Sequence, residues 1–584
     1  MKSRFLFALL TFGLVSARVL AHPVSAEVAS QKAKSFLSAM RGEVELTPVP
    51  AGGVAAARGL DREPLLHVFN VGQDEGFIIL SGEDSTPAVL GYADSGSFCY
   101  DQLPQNARAW IDGYAEQIAG MRQMGGGTIL AETPATHEAV KPMLTSQWDQ
   151  LRPYNSLCPL FVLGTPSATG CVATAMAQVL YYYRDRTVKE LQATIPAYDC
   201  RSNYTLTKIH VDAFSKGTPI DWSHMRDRYD DNATEAERQA VASLMAYCGA
   251  SIEMDYRDDE NGGSTASEVS VPMALKKYFG FNPAATVKYR GAFSNDNWDR
   301  LVYRELAHGR PVIFSGKDMG GHGHAFVSDG YDGNGYYHIN WGWGGRSDGY
   351  FLLSDLRPAL QGTGGYGGSY NENLGVVIGM EPGDGTPYEE QIRLTVTGVN
   401  RPDDVVPVTG LFSVVRFNYS FELQNRTSST RSFDWGLALY DGDRFVALML
   451  RGSLLNFTMV TTHTTSGYLE WYATNWQNGV GLGDYQVKVV CKELGSQDWL
   501  LADGASRYYV DVKVEADQIV LKAHGYVEPE VDINDSGISA MASPRYEPAS
   551  PSGVYTLTGR KLTTAADQLP PGFYIIDGKK RVVK

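Results

Sequence analysis

Cysteine is scarce in this chain, with six residues (Cys99, Cys158, Cys171, Cys200, Cys248 and Cys491) in 584. So few in a chain of this length exclude a disulfide framework as the source of stability. Cys158 with Cys200 is a possible bridge, and if Cys171 stays free at least one more thiol is unpaired. Positive charge is also in short supply. The 51 Lys and Arg face 66 Asp and Glu, giving a net charge of −15, which argues against nucleic acid or an anionic membrane as the main partner. No internal apolar run is long enough to span a bilayer.

What is present implies several domains rather than one core. The 61 glycines and 33 tyrosines point to many turns and to β-structure. Met1-Lys2-Ser3-Arg4, the apolar run Phe5 to Val15 and the small residues near Ala21 have the pattern of a secretory signal peptide over 1–21. Apolar spacing predicts a helix over 28–40, a strand pair at 67–71 and 76–80, and a helix over 105–121. The triplet Gly125-Gly126-Gly127 reads as an exposed connector open to proteolysis. Further on, a helix over 297–308 precedes a short buried strand at 312–314. Two β runs, within 320–331 and 336–345, flank the turn Asp332-Gly333-Asn334-Gly335 as a hairpin. The glycine-rich stretch 362–368 reads as a surface loop. Beyond Pro382 alternating runs recur at 391–399, 412–423, 436–440, 486–491 and 509–514, the pattern of a β-sandwich without a catalytic cluster. A Pro/Ser/Asp/Glu-rich linker and a short basic β unit from Gly553 close the chain.

The chemistry concentrates around Thr169-Gly170-Cys171-Val172-Ala173-Thr174-Ala175-Met176-Ala177-Gln178. A small-residue turn delivers a cysteine onto a helix whose apolar positions predict one buried face. Thr169 is read as the N-cap, with Cys171 in the first turn. There the unpaired backbone N–H groups favour thiolate over thiol and can hold a developing oxyanion. On this segment alone, a buried cysteine acting as a small hydrophobe is the competing reading. Far downstream, His324 opens an apolar β run and Asn340 lies on the returning one. A thiol hydrolase needs an imidazole and a group to orient it, and Trp341 can cover that bond from water. Side-chain alternation makes His324 and Asn340 share a face only with the right loop parity or a bulge.

Together with Trp148-Asp149-Gln150-Leu151-Arg152-Pro153-Tyr154-Asn155, these motifs (Gly323-His324-Ala325-Phe326-Val327 and Asn340-Trp341-Gly342-Trp343-Gly344-Gly345) resemble the streptopain family of papain-fold cysteine peptidases. The resemblance runs from about 25 to 382 and includes a streptopain-like propeptide through Pro87-Ala88-Val89-Leu90-Gly91-Tyr92. It implies an α+β chain: signal peptide 1–21, propeptide 22–140 and papain-like peptidase 141–383. A β-sandwich (384–525), a linker (526–552) and a small β domain (553–584) follow. It also implies Cys171 as nucleophile, His324 as general base and acid, Asn340 as orienting residue, Gln150 as oxyanion donor and Trp341 as shield. Ser264 and Ala266, in a loop resembling the family's substrate-pocket loop, and Gly323 would line the substrate site.

By the same resemblance the activity is endopeptidase cleavage of proteins or peptides, with a hydrophobic preference in the S2 subsite and the chain's own propeptide as inhibitor, and with no cofactor. Leu151-Arg152 depart from the family pattern after the glutamine, and Asp258-Asp259-Glu260 add acidity before the pocket loop. The segment from Gly553 resembles the sorting domains of type IX secretion substrates, which implies outer-membrane secretion machinery as a partner and a secreted or cell-surface location. Two other readings compete. His322, His324 and His338 could hold a metal, as a His-x-His pair on a strand does in some zinc sites. The scaffold could also serve as an inactive adhesin or inhibitor. The same constellation supports acyl transfer to an amine as well as to water.

Overall fold

The computed structural model describes residues 22–52, 63–123, 136–161, 164–200, 208–257, 263–317, 323–353, 374–409, 414–472, 480–525 and 531–535, with four short strands between 554 and 583. Two compact units emerge, Met1–Gly385 with Pro529–Ser536, and Thr386–Glu528 with Gly537–Lys584. The expected signal peptide, the glycine triplet at 125–127 and the stretch at 362–368 lie outside the described residues.

In the first unit, α1 (Ala26–Arg41) begins at Ser25, whose hydroxyl accepts from the Val28 N–H, and buries Ala29, Ala33 and Leu37 at four-residue spacing. β1 (Leu46–Val49), β2 (Leu66–Val71), β3 (Phe77–Ser81) and β4 (Val89–Ala93) follow as an antiparallel meander, and α2 (Gln105–Gln123) ends the N-terminal segment. α3 (Cys171–Tyr182) comes next, then the short pair β5 (Tyr198–Asp199) and β6 (His210–Val211). α4 (Glu235–Ser251) is opened by a capping box between Thr234 and Glu237. α5 (Ser270–Phe279) stops at Gly280, which takes the left-handed conformation at φ 65°. β7 (Thr286–Tyr289) precedes α6 (Asn295–Ala307), whose cap is Ser294. β8 (Val312–Lys317), β9 (Gly323–Tyr331), β10 (Tyr337–Asn340), β11 (Gly349–Phe351) and β12 (Gly375–Ile378) complete the unit.

Among the described residues, these strands other than β5 and β6 form one sheet in the order β1-β2-β3-β4-β11-β10-β9-β8-β12-β7. The N-terminal segment therefore extends the sheet that carries β9 and β10. At the seam Tyr92 stands opposite Tyr350 and Gly91 opposite Phe351. Gly91 suits this seam because a Cβ there would meet the Phe351 ring at 2.5 Å. α3 differs from the one-sided helix expected. Every residue from Val172 to Tyr181 is buried, because the helix is packed against both β9 and α4. Truncating one of its large members, such as Met176, would cost about 2–5 kcal/mol.

The second unit holds the expected sandwich. Its strands are β13 (Thr395–Val399), β14 (Asp404–Pro407), β15 (Val414–Gln424), β16 (Arg431–Asp441), β17 (Arg444–Phe457), β18 (Thr462–Tyr472), β19 (Gly483–Glu493), β20 (Leu500–Leu501), β21 (Tyr509–Val514) and β22 (Gln518–His524). One sheet runs β13-β15-β18; the other runs β14-β22-β21-β19-β16-β17, with β20 on β19. Phe417 and Phe421 from the first share a buried core with Leu437, Val489 and Val512 from the second. Pro407 sits on the edge strand β14, where a missing N–H costs no ladder bond. The strands at 554–583 form a separate four-stranded antiparallel sheet. Within the expected linker, Val531 is buried in the first unit and its N–H reaches Asn297 Oδ1 at 3.1 Å.

Candidate active site

α3 starts at Cys171, and the residue before it, Gly170, is the N-cap, with no side-chain cap bond. This corrects the expectation that Thr169 caps the helix. The Thr169 hydroxyl pairs with that of Thr174 at 2.8 Å, and its N–H reaches the Gln150 carbonyl at 3.1 Å. Gly170 is required twice over: its φ is 85°, and a Cβ would meet Met254 Sδ at 2.8 Å and the Ser264 carbonyl at 2.9 Å.

The Cys171 sulfur accepts from the Ala325 N–H at 3.3 Å, so β9 and the start of α3 meet at the residue after His324. Burial pushes the Cys171 thiol up, against the N–H groups of Ala325, Val172 and Cys171 itself, which pull it down. The helix start does aim donors at the sulfur, as its position predicts, but desolvation outweighs them.

His324 is buried at 8% exposure and stands opposite Gly316 in the register of β8 and β9. Asn340 stands opposite Val327, after a bulge at His338/Ile339. By alternation along β9, Val327 shares its face with Ala325, not with His324, so strand register alone does not align Asn340 with the imidazole. Both acceptor positions of Asn340 Oδ1 are taken, by Gln178 Nε2 at 3.1 Å and the Gly342 N–H at 3.0 Å. Its Nδ2 donates to the Ser146 carbonyl at 2.8 Å.

The β run expected to reach Gly345 stops at Asn340. Gly342, Gly344 and Gly345 take positive φ and turn the chain so that the Gly344 N–H meets the Trp148 carbonyl at 2.8 Å. That bond ties the Asn340 turn to the segment bearing Gln150, which is buried at 6%. Trp341 is fully buried against Phe326 and Phe351, its Nε1 donating to the Ser347 carbonyl and its N–H to Asp348 Oδ1, both at 2.9 Å.

Several residues here were not singled out from the sequence. Gln178 lies seven residues, two helical turns, after Cys171, and that spacing was the available signal. Asn106, at the start of α2, carried no signal. It is 1% exposed, and its Nδ2 donates to the carbonyls of Trp341 at 2.7 Å and Ala325 at 3.2 Å. Trp110, one turn on, packs edge-on against Phe326. Asp348 and Asp329 flank His338, whose Nδ1 is 2.6 Å from Asp329 Oδ1. Burial works against charge on that ring, but the Asp329 carboxylate, with help from Asp348 and Asp94, holds it above its ordinary value. Burial pushes the Asp348 carboxyl up to about 7, against the Trp341 N–H and His338. His338 is thus engaged with carboxylates, while His322 lies outside the described residues.

Of the expected substrate residues, Ser264 is turned inward. Its hydroxyl donates to the Ala168 carbonyl at 2.6 Å and accepts from the Arg257 N–H at 3.0 Å, holding the loop rather than facing a cleft. Ala266 is half-buried against the same core that Cys171 packs on, and Gly323 opens β9 opposite Lys317.

The Peptidase C10 family model matches residues 148–351, and the Spi protease inhibitor model matches residues 21–118. The chain is 30% identical over 465 residues to the thiol protease/hemagglutinin PrtT of Porphyromonas gingivalis, covering 77% of this chain and 50% of that protein. It therefore spans half the length of that relative. It is 33% identical over 357 residues to streptopain of Streptococcus pyogenes serotype M1, covering 58% of this chain and 85% of streptopain. Among solved structures, a prointerpain A fragment of Prevotella intermedia is 29% identical with a TM-score of 0.47, covering 57% of this chain and 98% of that one. With a third of its aligned residues shared across most of streptopain, this chain belongs to the streptopain family of cysteine peptidases, Peptidase C10.

Proposed function

We propose that the chain is an exported cysteine endopeptidase made as a zymogen, with Cys171 as nucleophile and His324 as base and acid. The observation that carries this reading is the contact between Cys171 Sγ, at the first position of a buried helix, and the N–H of the residue following His324. His324 takes the thiol proton, and the thiolate attacks the scissile carbonyl carbon. The Cys171 N–H and the Gln150 side chain hold the oxyanion. The imidazolium then protonates the leaving amine, and the acyl-enzyme forms as the C–N bond breaks. A water molecule gives its proton to His324 and attacks the acyl carbon, which releases acid and thiolate. Because burial favours the thiol over the thiolate at Cys171, an imidazole base is needed. Asn340 orients that imidazole once one of its two present donors gives way, and Trp341 shields the pair.

The inhibitory role of residues 22–123 is supported by Asn106 between the Ala325 and Trp341 carbonyls and by the β4–β11 seam. Maturation falls in the connector between Gly125 and Ser146, on the N-terminal side of His137. α2 is packed on one side of that window. On the other, His137 stacks on Tyr303, Val140 pairs with Tyr331, and the Leu144 N–H binds Asp329 Oδ2. Residues 1–21 direct export, and the sheet at 554–583 is the sorting domain read by outer-membrane secretion machinery.

The test is to incubate the protein with a denatured protein substrate, with and without an epoxide thiol inhibitor, and to identify new N-termini by mass spectrometry. New termini that vanish with the epoxide are expected. Cleavage that persists under saturating epoxide and stops with a chelator would contradict the reading.

A further inference from the structure

A carboxylate lies over a sheet row that starts at the residue touching the nucleophile. Four residues stand in one row across the sheet: Ala325 on β9 is opposite Ser315 on β8, Ser315 is opposite Gly375 on β12, and Gly375 is opposite Tyr289 on β7. Opposed residues project to the same face, and the row begins at the residue whose N–H reaches Cys171 Sγ. With strands about 4.8 Å apart, Ser315 is roughly 5 Å and Gly375 roughly 10 Å along the row from Ala325, within reach of one substrate side chain.

Gly375 has no side chain, and the space above it belongs to Glu268, just after the loop carrying Ser264 and Ala266. A Cβ on Gly375 would lie 3.4 Å from Glu268 Oε1 and 3.1 Å from the Tyr289 ring. Glu268 Oε2 accepts from the Ser315 hydroxyl and Oε1 from the Tyr289 hydroxyl, each at 3.3 Å. Among the described residues both of these hydroxyl partners are neutral, so they aim the carboxylate without cancelling its charge. Glu268 and Ser315 are each half-buried, so both keep access to solvent.

We propose that Glu268 is a specificity-determining residue that lines the pocket for the substrate side chain two positions before the scissile bond and selects a basic side chain, lysine or arginine, there. The proposal rests on the cysteine endopeptidase reading above and departs from the hydrophobic S2 preference the family resemblance implies. A guanidinium or ammonium entering along the Ala325–Ser315 row meets a fixed carboxylate in a partly desolvated wall, where charge-assisted hydrogen bonds are strongest. Leucine at the same position would strip water from that carboxylate and leave it only the two neutral hydroxyls.

The test compares the matured protein with its Glu268→Gln and Glu268→Arg variants on peptides identical except for Arg, Leu or Glu two residues before the cleaved bond. Active enzyme is counted by epoxide titration. The Arg:Leu ratio of kcat/KM should fall about tenfold in Glu268→Gln, and Glu268→Arg should turn the preference toward the Glu peptide. In the unsubstituted protein the Arg advantage should shrink as salt rises. Ratios that stay equal across the three proteins would overturn the proposal. If neither variant matures, an Arg advantage that is absent or insensitive to salt overturns it equally. A protein that cuts no peptide and takes up no epoxide would instead sink the endopeptidase reading.

Discussion

Asn106 Nδ2 donates to the carbonyl of Trp341 at 2.7 Å, and so joins the first turn of a helix in the N-terminal segment to the turn that follows Asn340. The same amide reaches the Ala325 carbonyl, whose residue also offers its N–H to the Cys171 sulfur. One buried side chain thus bridges the two strands that carry His324 and Asn340.

Replacing Asn106 with alanine leaves two buried carbonyls without this donor, a cost of about 1–3 kcal/mol to the covered state. At 1.36 kcal/mol per decade, release of the segment should become roughly 5- to 160-fold easier. In a Cys171→Ala background, which should accumulate as the long form, a fixed dose of active enzyme should shorten Asn106→Ala faster. The cut should lie between Gly125 and Ser146, on the N-terminal side of His137. Mass spectrometry over time checks both; equal half-lives would mean the amide does not hold the segment.

His324 and His338 should separate cleanly. His324→Ala should lose nearly all turnover with little change in melting temperature. His338→Ala breaks the ion pair with Asp329, whose carboxylate is fully buried, at a cost on the order of 3 kcal/mol, yet should keep most turnover well below its melting point. His322→Ala should behave like the unsubstituted protein. Turnover and thermal melts on the three variants decide it, and an essential His322 would contradict the assignment.

Asp348 gives a pH signature. Its carboxyl is pushed up to about 7 in the folded chain, above the unfolded value of about 3.9. Between those values the folded state holds the extra proton, so the stability difference falls as pH rises from about 4 to about 7 and then levels. Asp348→Asn keeps an oxygen for the Trp341 N–H and removes the titration. Relative to the parent, it should gain melting temperature steadily from pH 5 to pH 7. A difference independent of pH would show that the carboxyl titrates normally.

The parts of the proposed site were easier to pick out in the sequence than their assembly. Cys171 stood out for its place after a small-residue turn at a helix start and His324 for the glycines before its apolar run, and the sandwich was visible from alternation alone. The end of β10 at Asn340 was not, because the turn depends on three glycines taking positive φ within an otherwise strand-like run. Nor was the cap: Thr169 has the side chain of an N-cap, but the crowding of Met254 and Ser264 around position 170 decides where the helix starts. Asn106 and Glu268 were silent because their roles come from contacts 235 and 47 residues away in the chain.

The central claim, that Cys171 performs the cleavage, is tested most directly by turnover of a Cys171→Ala protein. It would be matured with added active enzyme, freed of that enzyme and assayed on a denatured protein beside the parent at equal concentration. The side-chain change is small and the helix around it is otherwise untouched, so the variant should fold and melt like the parent while cleavage drops to background. Cleavage at a rate near the parent's, from a preparation shown by mass spectrometry to hold alanine at position 171 and no residual activator, would contradict the thiol mechanism.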